Sequence, residues 1–173
     1  MTRCYTWPSG DRSAHVACYT FNGAEIQCCG HGLLCCAAVW TLHWDGPGSL
    51  QAGDTTLLCK SQDNALWLGF PKTPIADSPV PDWLAPLLAA PVVSCSKVGD
   101  AQGYWIAQLQ QGYDLAEIEP PGDSLIQYTR RALIVTCRVK TAASIAGEHF
   151  HFRYFAPQYG VPEDAATGSA MRL

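Results

Sequence analysis

The stretch PQYGVPEDAATGSA, residues 157–170, decides the fold more than any other part of the chain. An acidic pair, Glu163 and Asp164, precedes a turn of small residues, Thr167, Gly168 and Ser169, where a helix is expected to begin. A helix N-terminus presents unpaired backbone N–H groups and a partial positive charge, so it attracts anions. We therefore predict that this turn binds an anion and that the neighbouring carboxylate transfers a proton beside it.

A second stretch of the same kind lies upstream. CCGHG, residues 28–32, opens the apolar run LLCCAAVWTL, residues 33–42. A helix that is hydrophobic all round must be surrounded by other parts of the protein, so we expect a sheet wrapped around it. Two helix starts with glycines, one bearing His31 and the other Asp164, predict one cleft between two similar lobes.

Composition narrows the range of partners and compartments. Of 173 residues, 48% are hydrophobic and only 15% are charged, and the net charge of −4 without a Lys/Arg cluster argues against nucleic acid. No apolar run reaches membrane-spanning length, and the N-terminus does not resemble a signal peptide. The nine cysteines are odd in number. Cys18, Cys59, Cys95 and Cys137 are interpreted as small buried hydrophobic residues, and a reducing cytoplasm is expected.

The chain divides at a proline-rich segment, residues 71–81, which is the best candidate for a linker. It separates an N-terminal lobe, residues 1–75, from a C-terminal lobe, residues 76–173. Asp82 is the expected N-cap of a short helix that Pro91 ends. Short strands with polar turns occur on both sides of the linker.

Two motifs resemble the PhzF-like family of phenazine biosynthesis, which has the diaminopimelate epimerase fold. They are EIQCCGHGLL, residues 25–34, and RYFAPQYGVPEDAATGSA, residues 153–170. The resemblance implies an α+β fold of two lobes, each an antiparallel or mixed sheet wrapped around a buried central helix. The second central helix is cut short at residue 173, and the chain looks truncated at both ends compared with the family.

The resemblance also implies an activity. Members of this family isomerise or epimerise small acidic substrates by proton transfer without a cofactor, and an enolate formed in this way is stabilised by helix-end donors. Carried over, Asp164 and His31 are the catalytic residues. The residues expected to bind the substrate carboxylate are Gly30, Gly32, Thr167, Gly168 and Ser169. No metal and no cofactor are predicted.

One departure from the family opens an alternative. Family enzymes have a general-base glutamate in a stretch that aligns with residues 1–5, and here Thr2 or Arg3 stands in its place. The chain is therefore either an isomerase or a catalytically inactive, vestigial protein that still binds a small molecule. The two differ in whether the α-proton of a ligand exchanges.

Cysteine and histidine each suggest a further site. Cys29 in CGHG also resembles the thiol of proline racemases, but the partner thiol of such a pair falls near Ala165, so Cys29 is interpreted as a buried or supporting residue with a reactive role as the alternative. His149 and His151 lie two apart on one strand face, and packing or surface exposure is favoured over metal binding.

We also expect self-association. If the second central helix is incomplete, apolar strands around residues 132–139 and 150–155 lose their cover. Exposed apolar surface of this kind favours a partner, and a homodimer is the simplest one.

Overall fold

The computed structural model describes residues 2–20, 22–26, 29–101, 103–139, 149–165, 167–168 and 170. The chain forms two compact units, one of Met1–Lys72 with Thr167–Leu173 and one of Thr73–Ala166. The first boundary falls within the proline-rich segment, close to the expected one after residue 75. The segment that begins at Thr167 groups with the first unit, whereas the sequence placed it in the C-terminal lobe.

The first unit contains a five-stranded sheet and one long helix. The strands lie in the order β1-β2-β3-β4-β5. All neighbours are antiparallel except β2 and β3, which are parallel and are connected through helix α1. The elements are β1 (Arg3–Gly10), β2 (Ser13–Tyr19), α1 (Gly30–Thr41), β3 (Gly48–Ala52), β4 (Thr55–Gln62) and β5 (Ala65–Gly69).

Helix α1 packs on the sheet with one face only. Leu33, Cys36 and Ala37 are buried in a cluster with strand residues such as Leu50 and Leu57. On the other face, Leu34, Val39 and Leu42 are 44%, 50% and 84% exposed, and Cys35 is exposed too. The expectation of a helix buried all round is therefore wrong for this chain, because its single sheet covers only the face that carries Leu33, Cys36 and Ala37.

The second unit repeats the arrangement in part. Its sheet has the order β10-β9-β8-β7-β6, and only β8 and β9 are parallel. Two short helices lie in the connections. The elements are β6 (Ile75–Ser78), α2 (Leu84–Leu88), β7 (Val92–Val98), β8 (Tyr104–Leu109), α3 (Asp123–Tyr128), β9 (Ala132–Arg138) and β10 (Phe150–Phe155).

Strand β9 is the most deeply buried element of this unit. Leu133, Val135 and Cys137 pack with Leu84 of α2 and Leu125 of α3 in one cluster. The expectation that this strand lacks cover is wrong, because α2 and α3 supply it. In β10, the first half of the strand remains exposed to solvent, at Phe150 and Phe152.

Helix α2 begins and ends differently from the sequence expectation. Trp83, not Asp82, is at the N-cap, and no side chain caps it. The helix ends at Leu88, and its C-cap, Ala89, has a left-handed conformation with φ 48° and an N–H that donates to the carbonyl groups of Ala85 and Pro86. The helix therefore ends before Pro91, and Pro91 is not what terminates it.

The fold class predicted from the sequence is confirmed: the protein is a mixed α+β structure with two five-stranded sheets. The predicted second central helix lies mostly outside the described residues. Within the described part of the chain, no helix is both long enough and apolar enough to cross a membrane.

Candidate functional site

Helix α1 begins at a cysteine cap followed by two glycines. Cys29 is the N-cap, with extended backbone, and its Sγ accepts a hydrogen bond from the N–H of Gly32 at 3.4 Å. The N–H of Leu33 donates to the carbonyl of Cys29 at 2.9 Å. Gly30 and His31 come earlier in this first turn, where a helix offers its N–H groups no intrahelical acceptor. The helix start therefore has the donors that an anion requires.

The backbone of Gly168 lies directly against this helix start, within the first unit. A Cβ added to Gly30 would lie 2.5 Å from the carbonyl carbon and the Cα of Gly168. A Cβ added to Gly168 would lie 2.8 Å from the Cα of Gly30 and 3.1 Å from the nitrogen of His31. The 2.5 Å and 2.8 Å distances are shorter than real Cβ contacts and involve backbone atoms, so a side chain at either position would force the backbone to shift. The structure thus brings together one residue of each predicted substrate-binding segment.

The other predicted binding residues differ in their exposure. His31 is exposed and Gly32 is buried in the first turn of α1. Thr167 is buried, and its Oγ1 accepts from the N–H of Ala170 at 3.4 Å. Ser169 lies outside the described residues. Of the predicted substrate-binding residues, Gly30 and Gly168 are the pair for which direct backbone approach is observed.

Asp164 belongs to the second unit, whereas His31 belongs to the first. The Asp164 side chain is half-buried, and its N–H donates to the carbonyl of Tyr154 at 3.0 Å. Tyr154 is in β10, so this hydrogen bond attaches the acidic segment to the edge of the second sheet. Ala165, the position considered for a partner thiol, is exposed.

Glu163 has a structural partner that the sequence analysis missed. Its carboxylate makes a bidentate ion pair with Arg153, with 2.7 Å from Nε to Oε1 and 2.7 Å from Nη2 to Oε2. The same guanidinium also donates to the carbonyl groups of Leu115 and Ile118. Hydrogen bonding from Arg153 lowers the pKa of Glu163 and keeps it ionised. Glu163 therefore fixes the loop that also carries Asp164.

Three thiols meet beside the helix start. The Sγ atoms of Cys4, Cys18 and Cys29 all lie within 4.8 Å of one another. The Cys18 thiol donates to Cys4 Sγ at 2.8 Å. Cys18 is buried, as expected, but it is part of a polar cluster and is not only a small hydrophobic residue. Cys29 is half-buried and has two thiol neighbours, which the sequence did not predict.

The three thiols have different acidities. The interaction with the Cys18 side chain, and to a smaller extent the hydrogen bond from the N–H of Gly32, lowers the pKa of Cys29 to about 6. The interaction with Cys29 and burial raise the pKa of Cys18, and burial raises that of Cys4. Cys29 is therefore the thiol that carries the negative charge first.

A cavity of about 260 Å³ borders this cluster. Cys18 and Cys29 line it together with apolar residues such as Ile26 and Leu33. Glu25 and Asp54 line it as well, and both are exposed. All of these residues belong to the first unit. The cavity gives small molecules or ions access to two of the three sulfurs.

Comparison with known proteins supports the resemblance carried by the second motif, residues 153–170. Residues 92–172 match the family model described as "Phenazine biosynthesis-like protein". Comparison with curated proteins gives no match.

Solved structures show the same fold. A PhzF-family phenazine biosynthesis protein of Enterococcus faecalis aligns with 99% of this chain at TM-score 0.76 and 20% identity. A PhzF-family protein of Bacillus anthracis aligns with 98% at TM-score 0.73 and 17% identity. A protein of Pseudomonas aeruginosa described as a predicted epimerase aligns with 98% at TM-score 0.60 and 17% identity. The chain spans only 63%, 62% and 63% of their respective lengths.

Proposed function

We propose that this PhzF-like chain forms a cofactor-independent proton-transfer site that isomerises or epimerises a small carboxylate-bearing molecule. The observation that carries the proposal is the close approach of Gly168 to Gly30 and His31 at the start of α1. The two glycines let the segment of Thr167 and Gly168 pack against the start of α1, and backbone N–H groups at a helix N-terminus suit a substrate carboxylate. The family match and the relative described as a predicted epimerase support this type of reaction.

The chemistry needs one proton taken and one returned. When the α C–H bond breaks, its electron pair moves into the adjacent carboxylate and forms an enolate, which N–H donors at the helix start stabilise. The proton goes to a basic side chain and is returned to the same carbon or to another one. We propose His31 and Asp164 as the two proton-transferring groups, with Thr167 and Ser169 as further substrate contacts.

The direct test is hydrogen exchange in D₂O. The protein is incubated with candidate amino and hydroxy acids, and the α-proton signal is followed by NMR. We expect loss of the signal for at least one substrate and at least about a 100-fold slower loss in Asp164→Asn, because general acid–base groups contribute roughly that much. Asp63→Asn is the matched control, since Asp63 is exposed in a turn with φ 53°, which Asn tolerates well. Equal exchange in wild type and Asp164→Asn would refute the proposed role.

A second candidate function is binding without turnover. It is favoured by one observation: Thr2 and Arg3 are exposed at the start of β1, where the family has its general-base glutamate. A carboxylate ligand that binds the wild type, as measured by calorimetry, and that shows no α-proton exchange would support this function over the first.

We propose the cytoplasm as the location. Eight cysteines of the described part of the chain are free thiols, and unpaired cysteines in this number fit a reducing compartment.

A further inference from the structure

The thiols of Cys4, Cys18 and Cys29 come from three different elements. Cys4 and Cys18 are directly opposite each other in the antiparallel pair of β1 and β2. Cys29 is the N-cap of α1. Local sequence does not require such a convergence, because it depends on both the register of the hairpin and the position of the helix on the sheet.

Gly32 makes room for the cluster. A Cβ at this position would lie 2.1 Å from Cys4 Sγ, 2.8 Å from Cys18 Sγ and 3.2 Å from Cys29 Sγ. The three sulfurs therefore surround the one residue of the first helical turn that has no side chain and is buried. The N–H of Gly32 also donates to Cys29 Sγ, which orients this sulfur. Such supporting hydrogen bonds are typical of ligands in metal sites.

We propose that Cys4, Cys18 and Cys29 form a three-thiolate site for one thiophilic metal ion of the Zn²⁺ or Cu⁺ type. Thiolate donors select soft ions of this kind over Mg²⁺ or Ca²⁺. In a tetrahedral site the sulfurs lie about 2.3 Å from the metal and so about 3.8 Å from each other. The observed sulfurs lie within 4.8 Å of one another, and Cys4 and Cys18, which are 2.8 Å apart, must separate by about 1 Å to reach this spacing.

The fourth coordination position faces the cavity. Among the described His, Cys, Asp and Glu side chains, only these three group closely enough to share an ion. Two of them, Cys18 and Cys29, line the cavity of about 260 Å³, so water or a small anion can complete a tetrahedral Zn²⁺ site from that side. Cu⁺ needs no such fourth ligand. On binding, the S–H protons that the three thiols still carry pass to solvent and three metal–sulfur bonds form, with no change of oxidation state.

The metal site adjoins the helix start of the proposed isomerase site, and metal binding is tested without reference to isomerase activity. Full-length protein is reduced, freed of metal and titrated anaerobically with Zn²⁺ or Cu⁺ against a chromophoric chelator. We expect one ion per chain, a rise in melting temperature, and thiolate-to-metal charge transfer when Cd²⁺ replaces Zn²⁺. Failure to bind either Zn²⁺ or Cu⁺ at one ion per chain overturns the proposal.

Variants decide which residues hold the ion. Cys29→Ser keeps a good helix N-cap and should weaken binding at least about tenfold. Cys4→Ser should have the same effect. Cys35→Ser is the matched control, because Cys35 is an exposed thiol on the same helix outside the cluster. Equal weakening by Cys35→Ser, or a Cys4–Cys18 disulfide whose reduction does not restore binding, contradicts the proposal.

Discussion

Glu163, the neighbour of the proposed proton-transfer residue Asp164, has a structural role of its own. Both oxygens of Glu163 accept hydrogen bonds from Arg153, whose guanidinium also donates to the backbone at Leu115 and Ile118. Side-chain exposures of 19% for Arg153 and 28% for Glu163 place the pair partly away from water, where it is worth more than a surface ion pair. The pair joins β10 to the acidic loop and so positions Asp164.

The pH dependence of this ion pair can be predicted. The pKa of Glu163 is lowered in the folded protein, mainly by the hydrogen bonds from Arg153. Its stabilising contribution is therefore fully present above the unfolded pKa, about 4.3, and is lost as the pH falls from there through the lower folded value. We expect Glu163→Gln to lower the free energy of unfolding at pH 7 by about 2 kcal/mol and to flatten the fall in stability below pH 4.

The measurement is urea unfolding between pH 3 and pH 7, with Glu117→Gln as the control. Glu117 is exposed in the same unit and lies outside the ion pair. If Glu163→Gln loses stability at low pH as steeply as the wild type does, the assigned role is wrong.

At the scale of elements, α1 has a buried face and an exposed face of similar composition. Leu33 is 2% exposed and Leu34 is 44% exposed, although they are neighbours in the sequence. An apolar run can predict the helix, but it cannot show which face the sheet covers, because both faces are equally hydrophobic. Burial of one face follows from the tertiary arrangement.

We therefore predict different effects of two leucine truncations. Leu33→Ala should lower the free energy of unfolding by about 2–5 kcal/mol, because it leaves a cavity between α1 and the sheet. Leu34→Ala should change it by less than about 1 kcal/mol, since helix propensity improves and little packing is lost. Denaturant unfolding of both variants checks this. Both variants are measured at a protein concentration at which the chain is monomeric, so equal losses would show that α1 is covered on both sides within one chain.

The site could be predicted only in part from the sequence. The glycine pair was found because CGHG and ATGSA each have a local signature of a helix start. The thiol cluster was missed because Cys4 and Cys18 lie 14 positions apart, and their pairing depends on the hairpin register. The sequence could have predicted this pairing, because a hairpin that turns near residues 11 and 12 brings residues 4 and 18 opposite each other. Arg153 was missed because nothing local indicates that its partner is Glu163.

At the scale of the whole molecule, large apolar side chains remain exposed. Leu34, Val39 and Leu42 do so on α1, and Leu58 and Trp67 do so on strands β4 and β5. Monomeric proteins rarely leave large apolar patches open to water. The strands of the second unit are mostly covered, so we now expect the self-association surface to be the exposed face of α1.

We propose that a second copy of the chain covers the exposed face of α1. Light scattering at micromolar concentration should give the mass of a dimer, and Val39→Lys combined with Leu42→Lys should give a monomer. Lys72→Gln combined with Lys60→Gln, a charge change of the same size and opposite sign, is the control and should leave the dimer intact. A monomeric wild type would contradict this prediction.

The most direct test of the account is an amide NMR titration of the protein with small amino and hydroxy acids. If Gly30 and Gly168 form a carboxylate-binding point, the N–H signals of Gly30, His31 and Gly168 shift saturably with a bound ligand. Gly168→Ala should abolish these shifts, and Gly69→Ala, where an added Cβ meets only ordinary contacts, should not. Saturable shifts confined to residues elsewhere, or unchanged binding in folded Gly168→Ala, would contradict the account.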